Sequence, residues 1–291
     1  MDTLFGVINL DKPTGMTSRA AINRLQRQVR PAKLGHAGTL DPLARGVLLL
    51  LVGKATRLMP YVQRLEKKYL ATFQLGVESE TEDIEGTVTA VEGAVEPTRE
   101  QVLSELPRWT GRIMQRPPSF SALKYKGQRA YQLARQGQLV ELSPREVMIY
   151  QIELDDYRYP FLRLQICCGS GTYVRSLGRD IAHALGSGAV MSQLVRTSIG
   201  EFGVETACTL EELQEQGITE HLLPARRLVN DLPALTVDPE QRVLLANGRA
   251  IDFPQEQAAE EFLLVDGEGK LLGIAAADGP GKIRPVKSFG L

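Results

Sequence analysis

The chain has 291 residues, 43% of them hydrophobic and 24% charged, with a formal net charge of −1, an ordinary balance for a globular protein. No run of about 18 apolar residues occurs, which excludes a transmembrane helix. The N-terminus MDTLFGVINL lacks the basic n-region of a secretory signal, so the cytoplasm is the expected location.

FGVINLDKP (5–13) reads as a short apolar strand closed by Pro13. TSRAAINRLQRQVR (17–30) follows as a helix with Thr17 or Ser18 at its N-cap. Ala21, Ile22, Leu25 and Val29 form its apolar stripe, and Arg19, Arg24, Arg27 and Arg30 lie mostly off it. GHAGTLDPLARG (35–46) is a Gly- and Pro-bound loop with a single acidic residue, Asp41. GVLLLLVG (46–53) is too short for a membrane and suits a buried element. KKYLATFQLGV (67–77) alternates, placing Tyr69, Ala71, Phe73 and Leu75 on one face of a strand. The acidic stretch 78–96 reads as a surface hairpin or excursion. After the breaker RPP, SALKYKGQRAYQLARQG (121–137) is basic, rich in Tyr and partly helical. FLRLQICC (161–168) alternates again, turns at GSG (169–171) and leads into a helix. There Val174, Leu177, Ile181 and Leu185 keep helical spacing, with Tyr173 and Arg175 in the first turn. After NDLPALTVDP (230–239) come short strands with an Asp266-Gly267 hairpin signal. Length and this change of character predict a boundary near 232 and a small β-rich domain after it.

The near-zero net charge hides a segregation. Residues 1–70 carry 12 Lys/Arg against 4 Asp/Glu, residues 78–105 carry 1 against 9, and residues 108–146 carry 8 against 2. Two basic blocks around an acidic one can bind a polyanion; on charge alone, solvated faces of mixed sign account for it equally well. Cys167, Cys168 and Cys208 form no disulfide framework, and His36, His183 and His221 show no ligand spacing with them, which excludes a zinc motif. A phosphate-binding loop at 46–56 fails at Leu48 and Ala55, and a dinucleotide fingerprint at 169–174 fails at Val174.

Asp41 is the chemically pointed residue. Its plain reading is a turn-capping carboxylate before Pro42. A lone carboxylate does not suit glycoside hydrolysis, which wants two. One suffices as a covalent nucleophile when a cation keeps it ionised and water is excluded. Arg175 in GTYVRS is a candidate cation; its plainer role is a solvated surface charge. Taken singly, Tyr69 and Tyr173 read as packing and His36 as a loop hydrogen-bonder.

Taken together, these segments resemble the TruB family, the bacterial tRNA pseudouridine-55 synthases. The likeness runs from NLDKPTGMTS (9–18) through GHAGTLDPLARGVL, KKYLATFQLG, SALKYKGQRAYQLARQG and GTYVRSLGRD to LVRTSIGEF (194–202), in the family's order. The tail is similar to the family's PUA-like domain. The resemblance implies an α+β fold with a mixed, mainly antiparallel sheet and flanking helices. It implies a catalytic domain over 1–232 with an RNA-gripping insertion around 108–146, and a small β-rich PUA-like RNA-binding domain over 233–291. It further implies that Asp41 is the nucleophile paired with Arg175. His36, Tyr69, Tyr173 and Leu194 would line the uridine pocket, with Tyr69 stacking on the base and taking part in proton transfer. The chain departs from the family pattern at Val195, where a second Arg beside Arg196 is usual, and at Gly169, where Ser is common.

The implied reaction moves the bond between uracil and ribose from N1 to C5 in uridine 55 of the tRNA T loop. It involves no net redox change or group transfer, so no cofactor or metal is called for. Asp41 would attack ribose C1′ or uracil C6. The expected partner is the T arm of tRNA, bound by a monomer with no membrane and no obligatory protein partner. Two other readings share these features. A guide-RNA-dependent pseudouridine synthase has the same Asp loop but is disfavoured by segment 108–146 and the short tail. A tRNA-binding folding factor would keep its whole function without Asp41. Every catalytic candidate precedes residue 203, so residues 233–291 are expected to aid affinity rather than chemistry.

Overall fold

Arg45–Val52 is apolar at every position but its first and at Gly46, because both faces of this strand are covered. Leu48, Leu50 and Val52 point into one cluster with Ile8, Leu10, Ala21, Ile22 and Leu25. Val47, Leu49 and Leu51 point the other way, against Val7, Leu58, Val229 and, from the C-terminal sheet, Leu263, Val265, Leu271 and Ile274. The computed structural model describes residues 4–121, 123–125, 127–138, 142–253 and 259–291. Residues 1–3, 122, 126, 139–141 and 254–258 of the segments read above lie outside them.

The large sheet runs, in spatial order, Leu223–Pro224, Gly6–Lys12, Arg45–Val52, Ala189–Ile199, Lys67–Leu75, Phe161–Cys168, Arg145–Arg158 and Gly111–Gln115. Neighbours along it are antiparallel except Ala189–Ile199 beside Arg45–Val52, which is parallel. This is the mixed, mainly antiparallel sheet that the resemblance implies. The helix Val174–Ala184 lies on it through Val174, Leu177 and Ile181. Its Gly178 rests on Phe73 of the central strand, and a Cβ there would sit 2.0 Å from the ring. That contact fixes the height of the helix above the sheet. Among the described residues no helix is long and apolar enough to cross a membrane.

The structure differs from the sequence reading in two places. The first helix spans Ser18–Leu25 rather than 17–30, with Thr17 accepting from the Ala20 amide at 3.0 Å. Pro31 disfavours helical geometry at Arg30, and the segment ends in turns, although Val29 is buried as its stripe position requires. The acidic stretch does contain a short pairing of Val77–Glu78 with Thr89–Ala90, but it is not all surface: Asp83 is only 3% exposed.

The C-terminal sheet orders Ala234–Thr236, Glu261–Val265, Leu271–Ala277, Lys282–Ser288 and Ile251–Asp252. Besides its share of the apolar cluster, it is joined by Tyr61 Oη donating to Glu261 at 2.8 Å and Lys54 Nζ donating to the Phe289 carbonyl at 2.9 Å. Phe5 and Phe289 stack at 5.1 Å. Truncation after Asp231 therefore has a consequence beyond affinity. Each large apolar side chain uncovered forfeits about 1.5–3 kcal/mol of burial, so the truncated chain should unfold at lower denaturant than the full one. Equal midpoints in a urea titration would show that the shared cluster contributes nothing.

Candidate active site

Asp41 sits in a loop fixed at both ends. Leu40 and Ala44 are buried on either side of it. Ser18 Oγ accepts from the Leu40 amide at 2.9 Å and donates to the Leu40 carbonyl at 3.1 Å. The Gly15 amide donates to the Pro42 carbonyl at 2.7 Å. Gly46, at φ +103°, passes so near the strand Ala189–Ile199 that a Cβ would lie 2.3 Å from the Arg196 carbonyl oxygen. Arg196 is itself buried, donating through Nε to Val47 O at 2.7 Å and through Nη2 to Gly38 O at 2.9 Å. The loop is held by backbone contacts, which leaves the Asp41 side chain free for other work.

Opposite it, Arg175 lies in the first turn of its helix and is 6% exposed. Its Nε meets Asp41 Oδ2 at 3.0 Å and its Nη1 meets Asp83 Oδ2 at 3.2 Å. Nη1 also donates to Thr81 O at 2.6 Å, and Nη2 to Phe120 O at 3.1 Å. A buried guanidinium needs partners for its donors, and here two carboxylates and two carbonyls meet four of its five N–H groups. Asp83 is held in turn by the Thr81 hydroxyl at 2.6 Å and the Glu85 amide at 3.1 Å. One turn on, Arg179 pairs with Glu82, which also accepts from Ser176 at 2.6 Å; burial nonetheless pushes the Glu82 carboxyl up.

Asp41, Tyr69, Tyr173, Arg175 and Leu194 line one pocket of about 270 Å³, together with Lys67, Ser121, Arg145, the Gly169–Gly171 turn and Arg196. Tyr69 stands on the central strand opposite Ile166 on one side and Arg196 on the other. Burial raises its hydroxyl above its ordinary value, against the opposing charge of Arg196, so the group is a protonated donor at neutral pH. Lys67 Nζ is buried and donates to the carbonyls of Gln63 and Leu65, each at 2.6 Å, and to Ser170 at 3.1 Å. Burial brings its ammonium down to about 8, with Arg196 acting in the same sense. Lys12, on the far side of the Asp41 loop, is likewise lowered to about 8 by burial, partly offset by Asp41.

His36 is not among the pocket-lining residues. It is half-buried on Leu34–Ala37 with Nδ1 lacking a partner among the described residues, and burial plus Arg19 and Arg196 hold its ring below its ordinary value. At Gly169 a Cβ would meet Met148 at 3.4 Å and Tyr150 at 3.5 Å, ordinary contacts that would admit the family's Ser. Among the described residues no three His, Cys, Asp or Glu side chains converge as metal ligands.

Sequence reasoning missed Asp83. The carboxylate at 41 is not unaccompanied, since a second one shares its arginine. Nothing in the local pattern TEDIEG separates a buried Asp from a solvated one; only the tertiary contact does.

Residues 26–174 match the model of the TruB family pseudouridylate synthase N-terminal domain, residues 175–232 the tRNA pseudouridylate synthase B C-terminal domain, and residues 233–287 the pseudouridine synthase II TruB C-terminal model. The chain belongs to the TruB family. Relatives named tRNA pseudouridine synthase B include one from Dehalococcoides mccartyi, 37% identical and covering 98% of this chain and 96% of its own length. Others come from Bradyrhizobium diazoefficiens, 40% identical over 98% and 86%, and from a Caulobacter species, 40% identical over 100% and 97%. Among solved structures, a Cbf5-Nop10-Gar1 complex matches with a TM-score of 0.72 and 25% identity, covering 99% of this chain and 84% of the other. An H/ACA RNP bound to a substrate RNA shares the fold, with a TM-score of 0.73, 23% identity and coverage of 99% and 85%.

Within this TruB-family site, Asp83→Asn should loosen Arg175 without removing its contact to Asp41. The expected cost is about 1–3 kcal/mol of stability together with a clear fall in turnover. Denaturant melting and product assays on the same preparation check both, and unchanged values would leave Asp83 without influence on the site.

Proposed function

We propose that this TruB-family chain is a tRNA pseudouridine synthase that isomerises uridine 55 of the T loop, with Asp41 as nucleophile. The observation that carries this reading is the Asp41–Arg175 pair at the edge of a pocket walled by two tyrosines. The guanidinium ties one carboxylate oxygen and leaves the other without a protein partner among the described residues. The isomerisation breaks the N1–C1′ bond, forms a C5–C1′ bond, removes the proton from C5 and protonates N1. The base must leave its stack to be reached, at a cost of a few kcal/mol, which stacking on an aromatic ring offsets. Tyr69, which lines the pocket, would supply that face, and its hydroxyl would donate.

The chain would act as a monomer in the cytoplasm, gripping the T arm with the basic segment 108–146 and adding affinity through residues 233–291. Phosphate contacts from such basic segments supply affinity that is independent of sequence. Relatives at 37–40% identity named tRNA pseudouridine synthase B favour this reading over a guide-dependent one, since the Cbf5 complex stands at 25%.

Asp41→Asn keeps side-chain volume and should preserve fold and tRNA affinity while pseudouridine formation falls to background. Arg175→Lys keeps the charge but loses the planar fork; it should react slowly, and Arg175→Met more slowly still. The assay is pseudouridine formation in an unmodified tRNA transcript beside a binding measurement. Near wild-type product from Asp41→Asn would overturn the nucleophile assignment.

Tyr69→Phe and Tyr69→Leu separate stacking from proton donation. If stacking dominates, Phe retains most single-turnover rate and Leu little. If the hydroxyl moves a proton, both are nearly inactive while Phe still binds RNA. Equal, near-normal rates would return Tyr69 to plain packing.

A further inference from the structure

Tyr173 begins the Arg175 helix without a side-chain cap of its own. Its peptide is instead held from 58 residues upstream: Gln115 Oε1 accepts from the Tyr173 amide at 2.8 Å, and Gln115 Nε2 donates to the Tyr173 carbonyl at 3.0 Å. One carboxamide, 1% exposed, thus bonds both backbone groups of one pocket residue, whose carbonyl also accepts from the Leu177 amide at 3.0 Å. The ring of the same tyrosine carries the Arg145 guanidinium 5.0 Å from its centroid, and Arg145 Nη2 donates to the Gly171 carbonyl two residues before it.

Gln115 and Arg145 are direct partners across the ladder between Gly111–Gln115 and Arg145–Arg158. They form the neck from which residues 116–144 leave the sheet. Just past the neck, Arg116 O accepts from Arg179 at 3.2 Å and Phe120 O accepts from Arg175 at 3.1 Å. The root of the basic segment is therefore bonded to the first two turns of the helix that carries the Asp41 partner.

Resting on the functional reading above, we propose that Arg145 and Gln115 are positioning residues: they set the ring and backbone of Tyr173 as a wall of the uridine pocket, and so couple the basic segment to chemistry as well as to grip. The competing role for Arg145, which is half-buried, is direct contact with an RNA phosphate through the exposed end of its guanidinium; its Nε is buried and unpartnered among the described residues, out of reach of such a contact. The two roles differ in what they move. Positioning changes the rate of the chemical step, because a displacement of about 1 Å costs on the order of 10²-fold. A phosphate contact changes affinity and lowers the salt slope of binding by about one.

The test uses the full chain and an unmodified tRNA transcript, with single-turnover rate at saturating RNA, binding at two salt concentrations, and melting. Arg145→Met is expected to lower the rate by about 10- to 100-fold, with affinity and salt slope unchanged. Arg145→Lys keeps charge and stem but loses the planar face; it should show the same loss more mildly and serves if the Met variant melts early. Gln115→Glu keeps an acceptor for the Tyr173 amide and loses the donor to its carbonyl, and should also lower rate rather than affinity. In a Tyr173→Leu background Arg145→Met should add little, since residues acting as a unit are not additive. Weakened binding with a reduced salt slope and full rate would overturn the proposal, as would additive losses or unchanged rates in all variants. A wild-type chain that forms no pseudouridine would remove the functional reading and this inference with it, whereas an active wild type with silent variants removes the inference alone.

Discussion

One buried guanidinium organises the site. Arg175 draws to itself a loop from the N-terminal part of the sheet through Asp41, the acidic stretch through Asp83 and Thr81, and the basic segment through Phe120. These pieces are far apart in sequence, and a charge removed from water fixes their mutual distances more sharply than apolar contact does, because it demands specific partners at hydrogen-bonding range. The acidic stretch thereby has a structural role beyond offsetting the basic blocks: it supplies the second anion that allows Arg175 to be buried while Asp41 keeps one oxygen free.

Positioning is shared between rigid elements and backbone. The Asp41 loop is held by Ser18, Gly15 and the close pass of Gly46 against Arg196, and the Arg175 helix by the seat of Gly178 on Phe73. The long polar side chains nearby are also spent on backbone. Lys67 joins the carbonyls after Val62 to the Ser170 turn, and Arg196 joins Gly38 to Val47. A pocket built this way has its long polar side chains tied to backbone on several elements.

Much of this was legible in the sequence. Alternation gave Tyr69, Ala71, Phe73 and Leu75 their common face, and helical spacing placed Arg175 in the first turn of its helix, where it is found. The resemblance brought Asp41, Tyr69, Tyr173, Arg175 and Leu194 to one pocket, and the structure places all five there; His36 lies outside its lining. What pattern could not convey is burial decided by a distant partner. Asp83, Glu82 and Gln115 look like ordinary polar positions until the residues they serve, nearly a hundred or nearly sixty positions away, are folded against them. The first helix ends at Leu25, before the restriction that Pro31 places on Arg30, yet its stripe still predicted that Val29 would be buried, since the apolar demand outlasts the helix.

The strand Arg45–Val52 faces two apolar clusters at once, and this bears on how the molecule opens. Segments that share a buried layer lose it together, so local openings follow cooperative units rather than the boundaries of sheets. With Leu48 and Leu50 facing the first helix and Leu49 and Leu51 facing the C-terminal sheet, neither can part from this strand without exposing apolar surface. The amides of Val47 to Val52 are thus expected to exchange among the slowest. A disturbance entering at Ile274 or Phe289 has a short physical route, through one strand, to the loop that holds Asp41.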